Sequence, residues 1–559
     1  MQLGERHHID WMSSLSMGGD EEKQTSGSDT MTIDRETMIS YGSVTQHADL
    51  EERPLTMEGE KSKPRRHCSK KKLLKDEAEK MTLLAIPVTF TYLLEMLPGV
   101  ACVVLVGRVE NIHEPGNQKV QLDAAALATM MMNVVAMSPC FGLLTAMDTL
   151  CSQAHGSGQP SLMGTYSLTS IIVSTAVFSA SSVILWNSEA ILLLLDQPAE
   201  VSACAGQFMR ILIPGIPSLY LYEIIRKVYQ ARNEATPMLI TAAVSLLVNV
   251  ILGYYLVRYT HFGWLGAAVA RTFSFIISIP VVLLSVRLGM SGDRVESAAA
   301  GKCEGDKKMS DGVEFLQELW KGFVLRDAIS WDALREFFTL GVPGMLQVMF
   351  EWCAFEVVAL FCGWFPDDEA VVAIGASFIC MNISSISYML YLGVSVAGSV
   401  RIGNALGAND PHRAELATHL SLAAGFFLAF VNMAIILWSR DTLPYLFTKD
   451  PDIVEKSKDL FVVAAVFQLP DAINGVFQGV FRGSGDQVIA ALWNFVAYYI
   501  VGLPLGYVLG LRLGIGVEGL WEGMTAGLCV VVIAFSYITA KTDWAALAER
   551  AVQRVGGVP

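Results

Sequence analysis

The sequence predicts an all-α integral membrane protein, with twelve transmembrane helices in two parallel-repeat six-helix lobes. Three observations carry this expectation: an apolar composition, twelve windows of membrane-spanning length, and a repetition of one half by the other. Of 559 residues, 53% are hydrophobic and only 17% are charged, with a mean hydropathy of +0.44. A soluble chain of this size needs far more charge to cover its surface, so lipid is the natural solvent for much of it. The net charge of −14 does not point to a basic ligand, because much of the excess acid lies in the tail, linkers and outer loops. No nucleic-acid partner is expected.

The elements follow in order. Residues 1–75 are rich in Ser, Thr, Gly and charge and read as a disordered cytoplasmic N-tail, with no cleavable signal peptide. The tail ends on Arg65, Arg66, Lys70, Lys71 and Lys72; a nuclear signal or lipid-binding patch is one reading, and a positive-inside flank for the first span is the plainer one. A bilayer core takes about 20 apolar residues per helix. Such windows fall near 82–106, 122–147, 164–186, 200–224, 236–257 and 265–288, giving a first lobe over 76–289. A charged cytoplasmic linker, 290–332, follows. Six more windows near 333–362, 370–397, 413–438, 456–481, 487–510 and 517–540 make a second lobe over 333–541, and 542–559 is a cytoplasmic C-tail. Lys and Arg crowd the loops on one side, among them Arg226, Lys227 and Arg232 after span 4, so both termini are expected inside.

The halves repeat. Pro87, Glu95 and Gly107 of span 1 recur as Pro343, Glu351 and Gly363 of span 7, an offset of 256. Gly142 and Gly156 recur as Gly393 and Gly407 at 251. Pro217, Gly253, Gly263 and Gly266 recur as Pro470, Gly506, Gly516 and Gly519 at 253. Six spans per copy give both copies one orientation, an architecture suited to alternating access around a central cavity.

Carboxylates inside the spans ask for an explanation, since a charge at the centre of a membrane helix costs about 2.5–3.5 kcal/mol on insertion scales. Glu351 and Glu356 of span 7 point about 140° apart at helical pitch, with Trp352 on the face of Glu356. In span 10, Asp471, Asn474, Gln478 and Arg482 form one polar stripe within roughly 80°. Pro470 beside it frees a carbonyl one turn earlier. A water-lined cavity wall and a packed polar seam both accommodate the stripe; the carboxylate beside a helix break favours the wall. Measured from the prolines, the span 4 counterparts are Ser218, Leu221, Ile225 and Tyr229, without an acid, which places ion coupling in the second lobe. Glu95 is either a second protonation site or cation contact, or a buried neutral hydrogen-bonding group. Asp148 and Gln153 in DTLCSQAHGSGQ, with Arg401 and Asn404 in SVRIGNALGAND, read as structural or gating residues at tight cytoplasmic turns. No catalytic residue, cofactor or metal site is expected: the ten cysteines show no CxxC, and no Walker motif, GxxxxGK[ST], is present.

The segments AMDTLCSQAHGSGQ (146–159), FEWCAFEVVALFCG (350–363), GSVRIGNALGAND (398–410) and GVFRGSGDQ (479–487) resemble the multidrug and toxic compound extrusion (MATE) family, in its eukaryotic branch. The likeness covers roughly 76–541. It implies a monomeric antiporter with two lobes around a V-shaped cleft. Small organic solutes would be exported in exchange for H+ or Na+, across the plasma membrane or that of a vacuole or other acidic organelle. By motif, Glu351, Glu356 and Asp471 would be the transport-linked acids. Two departures from the branch bear on substrate range: Asp471 replaces a common Glu, and Trp352 is followed by Cys353 where paired aromatics are usual. An organic-acid exporter of the same fold and a lipid-linked glycan flippase are the alternatives.

Overall fold

A computed structural model describes residues 70–108, 118–288 and 315–556. The expected tail up to residue 69 and the linker over 290–314 lie outside the described residues. Among the described residues, twelve helices are long and apolar enough to cross a membrane. In the first half they are α1 (Lys71–Gly107), α2 (Lys119–Gly156), α3 (Pro160–Trp186), α4 (Ala199–Ala231), α5 (Thr236–Tyr259) and α6 (Leu265–Arg287). In the second they are α7 (Trp331–Cys362), α8 (Glu369–Gly407), α9 (Pro411–Ser439), α10 (Pro451–Ser484), α11 (Gln487–Arg512) and α12 (Val517–Lys541). A short amphipathic helix, α13 (Trp544–Gly556), closes the described chain.

Local chemistry sets the helix starts. Pro160, Pro411 and Pro451 stand in first turns, where a missing N–H leaves no intrahelical bond unmade. Asp450 caps α10 by accepting from the N–H groups of Asp452 (3.0 Å) and Ile453 (3.3 Å). Two helices run further than hydropathy suggests: α2 reaches Gly156 and α8 reaches Gly407. Asp148, Gln153, Arg401 and Asn404 therefore sit inside helices, and the tight turns expected around them fall just beyond. There Gly158 (φ 75°) and Asn409 (φ 55°) take the left-handed conformation.

Two large apolar cores form, one mainly in each lobe, and the first also takes in Phe337 and Leu340 of α7. The first is built around Phe208, Tyr166 and Tyr220, with Phe208 stacked on Trp264 at 5.5 Å. The second is built around Trp521, Phe461, Phe467 and Phe535. Glycines bring α11 and α12 into backbone contact: a Cβ on Gly523 would fall 2.1 Å from the amide nitrogen of Gly506.

The lobes meet at the end where α1 begins, here termed basal. The α2–α8 crossing is reciprocal, because a Cβ on Gly156 would strike the carbonyl oxygen of Asn404, and one on Gly407 that of Gln153, each at 2.1 Å. Gln153 Nε2 donates to the Gly483 carbonyl (3.1 Å), and Asn404 Nδ2 to that of Ala231 (3.1 Å). Glu77 of α1 is fully buried between Arg401 (2.6 and 2.9 Å) and Arg413 (2.5 Å) of the other lobe. From α13, Arg554 reaches Gln153 (2.7 Å) in one lobe and Glu336 (2.9 Å) in the other. Further side-chain hydrogen bonds cross between the lobes here, from Thr149 to the Arg482 carbonyl and from Arg401 to Asn233 (3.0 Å).

Candidate functional site

Two polar clusters stand inside the lobes, one in each. In the second lobe, Gly475 and Gly479 let α10 lie close to α8: Ser395 Oγ donates to the Gly475 carbonyl at 2.6 Å, and a Cβ on Gly479 would fall 2.2 Å from the Ser395 carbonyl oxygen. The polar stripe of α10 reaches α7 through Gln478. Glu351, 7% exposed, accepts from Gln478 Nε2 at 3.0 Å. Gln478 Oε1 in turn accepts from Arg482 (3.3 Å) and the Tyr388 hydroxyl (3.4 Å). Asp471 is buried within electrostatic reach of Glu351 and, among the described residues, has no hydrogen-bond partner. The amides of Asn474 and Gln347 are fully buried and equally unpaired. Buried polar groups are ordinarily hydrogen-bonded, so these unpaired amides call for an explanation.

The stripe expected from sequence is thus assembled, with Glu351, Asp471, Asn474 and Gln478 in one lobe. Pro470 lies in α10 without ending it. Glu356 and Trp352 are placed apart. Glu351, Ala354 and Val358 define the buried face of α7, while Trp352 and Glu356 stand on its exposed face, as the 140° separation requires.

The first lobe departs from expectation. Arg226 and Lys227, read as loop cations, lie inside α4 and are buried beside Glu223. They form a chain of charges across three helices. Glu95 of α1 accepts from Arg226 and from the Tyr222 hydroxyl (2.8 Å). Arg226 also holds Glu223, and Lys227 bridges to Asp148 of α2 at 2.7 and 2.8 Å. Glu95 thus meets a cation, Arg226, and it lines a cavity of about 180 Å³ among α1, α2, α4, α5 and α6.

The two clusters are versions of one contact: a glutamate from the first helix of the lobe is held by a side chain from the fourth. The holding residues, Arg226 and Gln478, stand 252 residues apart, as do Asn233 (φ 65°) and Gly485 (φ 84°) in the turns that follow. The proline register of 253 is one residue out at this depth. On the corrected register Arg482 corresponds to Gln230, so cation and amide exchange places between the lobes. Asp471 corresponds to Leu219. Sequence reasoning placed Arg226 and Lys227 in a loop because span 4 was ended at 224, and so left Glu223 without its partners; the i, i+3 and i, i+4 spacing was the available signal.

Comparison with known proteins agrees with this architecture. The MatE family model matches residues 87–255 and again 343–508, the second match displaced by nearly the repeat offset. Multidrug and toxin extrusion protein 1 of Danio rerio is 29% identical over 487 residues, 86% of this chain and 75% of that protein. Protein DETOXIFICATION 6 of Arabidopsis thaliana is 28% identical over 479 residues, 86% of this chain and 92% of that protein. The crystal structure of the eukaryotic MATE transporter AtDTX14 superposes with a TM-score of 0.74 at 26% identity, covering 86% of this chain and 100% of that one. A MATE transporter in an outward-facing conformation matches with a TM-score of 0.70 at 16% identity, a likeness of fold alone. With the repeat, the twelve helices and the family match in agreement, the chain belongs to the MatE family of multidrug and toxin extrusion transporters.

Proposed function

We propose that the protein is a proton-coupled antiporter that exports organic compounds, cationic or amphipathic, with Glu351 and Asp471 as the coupling acids. The observation that carries this reading is the exchange of cation and amide between the lobes. Glu95 is held by a guanidinium, and its cluster sets three carboxylates (Glu95, Glu223, Asp148) against two cations (Arg226, Lys227). Glu351 is held by an amide, with Arg482 one turn further along α10 and Asp471 nearby. Neither acid is ion-paired there among the described residues, so proton binding removes charge from the second cluster without stranding a partner. The acids titrate as a set, and one value per residue does not describe them.

In this mechanism the deprotonated set attracts a cationic solute into the space between the lobes, and protonation from the acidic side lowers that affinity and releases it. The basal contacts of Glu77, Gln153 and Asn404 hold the lobes together on one side. With both termini cytoplasmic, the arrangement opens away from the cytoplasm, and the host membrane is the plasma membrane or that of an acidic organelle. Glu356 is assigned a contact with solute, since it stands on another face of α7 from the acid pair. The test is flux in proteoliposomes loaded with a fluorescent organic cation, under a pH gradient and then an equal sodium gradient. Movement with protons alone, lost in Glu351→Gln at equal protein abundance, is expected. Movement with sodium alone overturns the coupling ion, and movement unaffected by the substitution overturns the site.

A further inference from the structure

The cavity of the first lobe has a second charged wall that the coupling mechanism does not use. Arg271, six residues into α6, is 8% exposed and lines this cavity of about 180 Å³. Its Nη1 donates to Thr129 Oγ1 at 3.2 Å, it meets the Cys102 thiol, and its guanidinium stands 5.8 Å from the Phe275 ring centre. Its Nε has no partner, and among the described residues no carboxylate pairs with it. The acids that share the cavity are already held: Glu95 and Glu223 both accept from Arg226. The neighbouring cluster carries one carboxylate in excess of its cations, but none pairs directly with Arg271, and a guanidinium inside a span without a direct partner asks for a ligand.

The rest of the wall suits one. Met132, Phe141 and Phe275 supply apolar surface, and the Ser245 hydroxyl is buried in it without a hydrogen-bond partner among the described residues. At helical rise Arg271 lies roughly 9 Å from the non-basal end of the bundle and Glu95 roughly 18 Å, so the unpaired positive charge stands nearer that end than the paired acid. The geometry points to an anion-binding subsite at Arg271: the first-lobe cavity takes the carboxylate of an amphipathic solute, its apolar body lying against Phe275 and Met132. The planar five-donor guanidinium is suited to bidentate capture of a carboxylate. This goes beyond the transport reading by naming an anionic substrate group, and it stands whichever ion drives transport.

Equilibrium dialysis of the purified full chain against 2-naphthoate, with 2-naphthamide as its neutral counterpart, tests it without any ion gradient. Saturable binding of the acid is expected, with the amide weaker by roughly ten-fold or more, as for loss of a charged hydrogen bond. Arg271→Gln should lower affinity for the acid by a similar factor, and Arg271→Lys should restore part of it. If Arg271→Gln does not fold, Ser245→Leu serves instead; it narrows the cavity, leaves the guanidinium in place, and should also abolish binding. No saturable binding by the parent, equal binding of acid and amide, or full binding by Arg271→Gln or Ser245→Leu would overturn the subsite. Because no gradient is applied, failure of proton-driven cation flux leaves this readout unchanged, and the two proposals fail separately.

Discussion

Replacing Arg226 by Gln imitates in the first lobe the arrangement of the second, and the consequences for stability can be worked from the contacts. The guanidinium holds Glu223, whose side chain is 5% exposed, and Glu95, whose side chain is 27% exposed. Each charge-assisted hydrogen bond contributes about 1.5–3 kcal/mol, and stranding a buried charge by removing its partner costs roughly 3–5 kcal/mol. Glu95 opens on the cavity and Glu223 keeps Lys227 at 3.9 Å, so the lower end, about 3 kcal/mol, is the expected loss. Equilibrium unfolding in mixed micelles measures it, and the cycle with Glu95→Gln isolates the pair. The double variant should recover roughly 1–3 kcal/mol relative to additivity. A single variant as stable as the parent, or a cycle with no coupling, would refute the view that the first-lobe glutamate is locked in an ion pair.

Other outcomes follow from the same contacts. Glu77→Gln removes the charge that two arginines of the opposite lobe share, so the basal closure should weaken by about 1–2 kcal/mol, a several-fold shift towards the open form. A cysteine placed at Ser152, fully buried in the closed form, should then react faster with a membrane-impermeant maleimide. Gly407→Val sets a side chain against the Gln153 carbonyl at the α2–α8 crossing. The protein should still fold but fail to close, seen as constant maleimide access and loss of exchange. Glu356→Gln alters an exposed side chain without a hydrogen-bond partner among the described residues, so stability should change by no more than about 0.5 kcal/mol, and any loss of flux then belongs to transport.

Much of this was legible in the sequence because hydrocarbon penalises exceptions. The twelve spans, the repeat and the α10 stripe from Asp471 to Arg482 all follow from where apolar residues give way to Gly, Pro or charge. The first-lobe network was hidden by the same logic. Hydropathy counts Glu223, Arg226 and Lys227 as three penalties and ends the helix before the last two, although paired side chains cancel much of that cost in the fold. Arg271 was overlooked for a related reason: a single cation near a span's end is discounted by the apolar average around it. The α2 and α8 ends were misread because Gly, Asn and Gln suggest a turn, whereas their small size and amide groups serve a helix crossing. Pairing the halves on Pro217 and Pro470 gave a register one residue out, enough to align Gln478 with Ile225 instead of Arg226.

The central claim is that the charge on Glu351 and Asp471 is exchanged for substrate. Proton release can be followed directly with a pH indicator in weakly buffered, detergent-solubilised protein as tetraphenylphosphonium is added. The account predicts release that saturates with the cation in the parent, falls in Glu351→Gln and in Asp471→Asn, and persists in Glu95→Gln. Release that is unchanged in both second-lobe variants, or abolished by Glu95→Gln alone, would contradict it.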